Sequence, residues 1–327
     1  MDRAVFFTKE QSLAGRGIAI FLVIASHYAI WCADMIPREP LQYALSRLGV
    51  YGVCIFFLLS GYGLVKSEKK QKKASSYWKG RLVNTYIPYL LIASVIELCA
   101  GGEWTVRRIY KLLTGYEFWF MRNIFLFYLF FYVIFRLVKK DWLRSVLLAV
   151  AVFSYCGWLV LQDRASFWVV SNPAFVVGAV LAFYEKKLLR VANCLYPVWL
   201  AVLSLPMVWV VKSGMDIRFT PVENCDKIGP GMAAALIWTF LAVQLAALLP
   251  GKPGVLRFFG SLSLELYLLH TFLYNAIVNA SDGLNRGIQL ALVVIVTVLA
   301  AWLAHHLPGC IWKAGKRVHR KGRSGGI

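Results

Sequence analysis

Charge is scarce in this 327-residue chain, and acidic charge most of all: 16 Asp and Glu stand against 36 Lys and Arg, and charged residues make up only 16%. A soluble domain carries roughly 25% charged residues, so this chain lacks the polar surface to face water on all sides. Internal repeats, heptad arrays and long linkers are missing too, which excludes a solenoid, a coiled coil and a second domain on a tether. The seven cysteines form no CxxC pair, and most lie in or beside apolar runs. That spacing excludes a disulfide framework and a zinc site. The first apolar run has no small-residue cleavage site and reads as a retained helix.

What is present is apolar: 59% of the residues, with a mean hydropathy of +0.62. Disordered, collagenous and ordinary cytosolic chains are excluded, and the fold class is an all-α polytopic membrane bundle. About 20 apolar residues cross a hydrocarbon core about 30 Å thick. Ten runs qualify as transmembrane helices, near 12–32, 48–66, 84–101, 118–138, 143–161, 168–185, 194–212, 229–250, 256–279 and 287–307. The net charge of +20 does not point to nucleic acid, because the cations sit in short loops rather than in one basic domain. Of the 36 Lys and Arg, 25 fall on one set of alternate loops and 11 on the other. Positive charge marks the cytoplasmic side, so both termini are expected there. Residues 1–310 form the membrane domain and 311–327 a basic cytoplasmic tail.

Ionisable groups inside the spans are costly and usually face the protein interior. Arg16 and His27 lie eleven residues apart in the first span. Eleven residues are about three turns, so the two share a helix face about 16 Å apart. As plain structure, Arg16 snorkels to the headgroups and His27 bonds a neighbouring helix. A second histidine, His270, favours a site. Counted from the start of a single ninth helix it lies about 21 Å deep, and His27 about 22 Å deep in its own. Histidine can take and return a proton near neutral pH, as a hydroxyl nucleophile requires.

Weaker signals accompany these. Ser60-Gly61 interrupts an apolar run and reads first as a close-packing site, since no G-x-S-x-G elbow surrounds Ser60. Glu97 and Glu265 read equally as proton carriers or as satisfied core carboxylates. His305 and His306 read as interfacial, and Trp119-Phe120 with Tyr128 as an aromatic belt. The Lys66–Lys79 cluster serves orientation, or meets an anionic lipid or a phosphorylated cofactor.

Several segments together resemble acyltransferase family 3, a large bacterial family of integral-membrane acyltransferases. Leu13-Ala14-Gly15-Arg16-Gly17-Ile18-Ala19 leading to Ser26-His27 is similar to its arginine–ten residues–histidine signature. Gly49-Val50-Tyr51-Gly52-Val53 with Phe56-Phe57-Leu58-Leu59-Ser60-Gly61-Tyr62 resembles its second-helix signature. Phe118-Trp119-Phe120 with Tyr128, and Gly260-Ser261-Leu262-Ser263 to Tyr267-Leu268-Leu269-His270, match later landmarks. The family often has two arginines three apart before the third helix. Arg81 matches the first, Asn84 replaces the second, and Lys79 stands nearby as a point charge.

The resemblance implies transfer of an acyl group, most often acetyl, from cytoplasmic acyl-CoA (acetyl-CoA) to a hydroxyl of a cell-surface glycan or glycolipid precursor. It implies a multi-pass protein of the bacterial inner membrane, working among membrane lipid and needing no metal. His27 is then the general base or a transient acyl carrier, and Arg16 orients the donor. Arg81, Lys79, Ser60, Trp119, Tyr267 and His270 are the accompanying substrate-binding candidates. The competing reading is a proton-coupled transporter of a small anion or glycan, and a third is a non-catalytic scaffold. No repeated half favours the transporter.

Overall fold

The computed structural model describes residues 5–32, 39–68, 74–190, 231–233, 235–239 and 254–324. Among them every regular element is helical and there is no strand. Six stretches are long and apolar enough to cross a membrane: Lys9–Trp31, Leu48–Glu68, Tyr77–Ala100, Trp119–Leu137, Asp141–Leu161 and Arg286–Leu307. Phe167–Phe183 is a shorter apolar stretch. The expected seventh span, 194–212, and most of the eighth, 229–250, lie outside the described residues. The chain divides into two compact units, Met1–Lys72 with Thr114–Ser261, and Lys73–Leu113 with Leu262–Ile327.

The first unit begins with α1 (Lys9–Trp31), started by a capping box in which Thr8 and Gln11 each accept from the other's backbone N–H. A short α2 (Glu39–Ser46) leads to α3 (Leu48–Glu68). Apolar on all sides, α3 is buried along most of its length, as an all-apolar helix must be. It packs on α1 and on α10 (Pro173–Phe183). Between them in sequence come α7 (Trp119–Leu137), α8 (Asp141–Leu161) and one turn of α9 (Phe167–Val170). Gly61 and Gly178 let the α3 and α10 backbones touch: a Cβ on either would strike a carbonyl oxygen of the other helix, Phe175 or Leu58. The Ser60-Gly61 interruption is therefore a packing device, whatever else Ser60 does.

Pro173 breaks the sixth expected span into α9 and α10, because it has no N–H for the preceding turn. The freed polar groups find partners inside the bundle, as they must away from water. Asn172 Nδ2 donates to the Trp168 carbonyl at 2.8 Å and Asn123 Nδ2 to Asn172 Oδ1 at 3.0 Å, while Tyr155 Oη donates to Asn123 Oδ1 at 2.8 Å.

Two clusters define the ends of this unit. At one, Glu185 accepts from the Phe6 N–H at 3.0 Å and from Tyr62 Oη, and it pairs with Lys66. The end of α7 joins it, with Phe135 stacked on Phe183 at 5.4 Å. At the opposite end, Ser26 Oγ donates to the Ser46 carbonyl at 2.6 Å and Gln42 to the Ala29 carbonyl at 3.2 Å.

The ninth expected span, 256–279, is instead two helices, α11 (Gly254–Ser261) and α12 (Ser263–Ala280). Ser261 Oγ bonds back to the Phe258 carbonyl at 2.7 Å, a local bond that competes with the helix ladder. Gly260 lies against the Leu13 carbonyl and Gly17 against that of Leu256, which clamps α11 onto α1. His270 is therefore only about 10 Å from the start of its own helix, and the equal-depth count from one continuous ninth helix does not apply.

In the second unit, α4 (Ala74–Arg81) runs through a wide π turn, Leu82–Tyr86, into α5 (Ile87–Ala100). The apolar stretch thus opens at Tyr77 rather than near residue 84. Pro88 explains the turn: it lacks an N–H and its ring would strike the residue-84 carbonyl of a regular helix. The Ile87 N–H reaches back five residues to Leu82 instead. Gly101 and Gly102 stop α5 at φ +69° and +87°, where a side chain would be strained.

The amphipathic α6 (Val106–Thr114) folds back over α5, with Arg108 bonded to Glu97 Oε2 at 2.6 Å and to the Glu97 carbonyl at 2.7 Å. Glu97 is accordingly a satisfied carboxylate. α12 packs on α5 and on α13 (Arg286–Ser324), whose backbone continues helical through residue 310.

Candidate active site

His27 lies in the last two turns of α1, half-buried, and its ring stacks on Trp31 with centroids 5.4 Å apart and planes 15° from parallel. The stack arises because positions i and i+4 share a helix face. The neighbouring Ser26 is buried, bonded to Ser46 and packed against Gly49, so the turn carrying His27 is held by α2 and the start of α3. The imidazole therefore sits in a fixed setting at the end of the first unit opposite Glu185.

Arg16 is about three turns away on the same helix and exposed, beside the α1–α11 crossing. That crossing is also tied by Arg257 to Glu10 at 3.5 Å. Ser60 is half-buried at the α3–α10 contact, and Trp119 packs edge-on to Phe167 at 5.3 Å. Arg16, His27, Ser60 and Trp119 all belong to the first unit.

Lys79, Arg81, Tyr267 and His270 belong to the second. Arg81 lies over the Tyr77 ring at 4.6 Å and donates to the Tyr77 carbonyl at 3.4 Å, at the mouth of the π turn. Lys79 and Asn84 are exposed. His270 is buried on α12 with Nδ1 3.0 Å from the Leu266 carbonyl. A carbonyl only accepts, so Nδ1 donates in that bond, and Nε2 lies 3.3 Å from Thr271 Oγ1. The Tyr267 ring is 6.1 Å away. Glu265, also buried, meets His305 Nδ1 through Oε1 at 2.9 Å, while its Oε2 has no hydrogen-bond partner among the described residues. His305 is thus tied to an in-span carboxylate rather than simply interfacial.

Two features escaped sequence reasoning. One is the Glu185 node. Burial alone would raise the Glu185 carboxyl, but Lys66, Tyr62 and the Phe6 N–H outweigh it and hold the group below its ordinary range. Lys66 is thereby engaged in an ion pair. The other is a pair of arginines, Arg122 and Arg164, gathered around the Tyr116 ring. Only the in-span position of Arg122 hinted at it.

A search of curated proteins and a search of solved structures each return no match. The model of a family described as an acyltransferase domain matches residues 14–306, a stretch that holds both Arg16 and His27 as well as His270. Covering far more than half of the sequence, that match and the apolar helices around it place the chain in acyltransferase family 3, whose members are membrane acyltransferases.

Proposed function

We propose that the protein moves an acyl group, acetyl in the first instance, from cytoplasmic acyl-CoA to a hydroxyl of a cell-surface glycan or glycolipid precursor. It does so in a bacterial plasma membrane, as a bundle of about ten spans with both termini in the cytoplasm. The observation that carries this reading is His27: an imidazole in a membrane helix, fixed by the Trp31 stack and the Ser26–Ser46 bond, three turns from Arg16.

His27 takes the proton of the acceptor hydroxyl as its oxygen attacks the thioester carbonyl. The carbon–sulfur bond breaks, and the imidazolium returns the proton to the CoA thiolate. The covalent variant passes the acyl group through the imidazole first. Arg16 orients the donor, and Arg81 with Lys79 attracts its phosphates as part of the basic inner surface. His270 assists, through a hydrogen bond or at the oxyanion.

Purified protein incubated with labelled acetyl-CoA and a panel of glycans tests the reading. An enzyme moves the label to an acceptor, whereas a transporter or scaffold leaves it on CoA. A reporter fused after Ile327 should read cytoplasmic and one within 213–227 external; the reverse would overturn the side of donor entry.

A further inference from the structure

We infer that Arg122 and Arg164 form an anion-recognising acceptor subsite, which takes a sugar bearing a carboxylate or phosphate. This deepens the acyltransferase reading above and rests on it for the identity of the ligand as acceptor.

Arg122, on the first turn of α7, lies over the Tyr116 ring at 4.9 Å and near Trp158 at 5.8 Å. Arg164, in the turn after α8, lies 5.5 Å from the same Tyr116 ring and 5.3 Å from Trp168, and donates to Tyr116 Oη at 2.7 Å. Trp119 extends the aromatic wall, 5.8 Å from Trp168. The arrangement is built in: Gly115, at φ +72°, turns the chain so tightly that a Cβ there would come within 3.0 Å of the Arg122 backbone. Tyr116 is thereby placed between the two cations.

Two guanidiniums share one ring, and neither forms an ion pair with a carboxylate among the described residues. Asp163, next to Arg164 in sequence, does not pair with it. Among the described residues, the buried Arg122 Nη1 has no hydrogen-bond partner. Gathering like charges and leaving a buried donor unpaired is costly unless something of opposite charge arrives. The rings cover guanidinium faces and leave in-plane N–H groups, the geometry that grips an oxyanion in bidentate fashion.

Position narrows the ligand. The end of α7 lies beside Phe183 at the Glu185 end of the unit, so Arg122 at its start lies toward the opposite end, the end of His27. In the proposed orientation that end faces outside, the side from which a glycan acceptor arrives and opposite the inner surface that takes the CoA phosphates. Flat indole faces beside the arginines suit the apolar face of a sugar ring better than a mobile lipid headgroup.

The test uses the full chain in nanodiscs and reads binding by tryptophan fluorescence, independently of turnover. The probes are a glucuronate-containing tetrasaccharide, its carboxyl-reduced counterpart and glucose 1-phosphate. At least one anionic sugar should bind 10-fold or more tighter than the neutral one. Arg122→Gln and Arg164→Gln should each erase most of that preference, and Arg122→Lys, which keeps the charge without the fork, should recover only part of it. With the better acceptor, the variants should raise acceptor KM and leave donor KM within 2-fold. Equal binding of acidic and neutral sugars, or no binding by either anionic probe, would overturn the inference, even if Arg122→Gln fails to fold. So would an effect that follows the nanodisc's anionic lipid content instead of the sugar, marking the arginines as headgroup anchors. Selective binding without label transfer to any acceptor would leave the subsite standing and sink the acyltransferase reading.

Discussion

Gly17→Ala offers a sharp test of the packing around Arg16. A Cβ built on Gly17 lies 2.8 Å from the Leu256 carbonyl carbon and closer still to its oxygen, whereas ordinary contact begins at 3.4 Å. The backbone of α11 cannot turn aside as a side chain would, so α1 and α11 must separate by well over half an ångström. Overpacking of this kind costs about 1–3 kcal/mol. Against it stands the helix-propensity gain of alanine over glycine, about 1 kcal/mol. The net expectation is a loss of up to about 2 kcal/mol.

Gly63→Ala is the matched control: the same substitution in α3, with nothing within 4 Å of the new methyl. It should be neutral or stabilising by up to about 1 kcal/mol. Thermal unfolding of both purified variants in one detergent should separate them by about 1–3 kcal/mol, with Gly17→Ala the weaker, because the propensity gain is common to both. Because Arg16 precedes Gly17, the variant should also lose transfer activity below its melting point, since misplacing a group by about 1 Å can cost 10²-fold. If the two variants melt together, or Gly17→Ala is the more stable, the α1–α11 contact described above is wrong.

Three further outcomes follow from the same geometry. His27→Ala should lower the transfer rate by about 10²–10⁴-fold in a protein that still inserts and unfolds like wild type; near-normal turnover would remove His27 from the chemistry. Arg16→Lys and Arg81→Gln should mainly raise donor KM, with donor affinity falling as salt rises; full activity together with indifference to salt would make Arg16 a mere helix anchor. Since the folded Glu185 carboxyl is held low, its stabilising contribution is fully present above the usual carboxylate range and is lost as pH falls through the lowered value. The melting-temperature gap between wild type and Glu185→Gln should therefore be flat at neutral pH and narrow on acidification, and a gap that widens would reverse the argument.

Much of the candidate site was legible before any fold was known. Arg16 and His27 are eleven residues apart on one helix, so their shared face follows from helical period alone, and α1 spans both. The membrane class, the limits of α3, α7 and α8 and the glycine stop at Gly101-Gly102 are equally local: each is set by the apolar content or backbone freedom of neighbouring residues. Pro88 and Pro173 are intermediate cases. Their missing donors announce a disturbance, but whether the chain answers with a π turn or a break with an asparagine bridge depends on which groups stand nearby.

The remaining features belong to the tertiary structure. Nothing near Lys66 indicates that its partner is Glu185, more than a hundred residues on, or that both hold the chain at Phe6. The ninth run is apolar enough for one helix, and only the clamp of Gly260 against Leu13, with the Ser261 back-bond, breaks it in two. Arg122 and Arg164 read separately as an in-span charge and a loop charge. Packing of α7 against α8 sets them on one ring, with a buried donor that no described residue satisfies. Apolar content and helical period act within about twenty residues and so declare the membrane and the helices, while a polar group's partner is decided by which helix faces it.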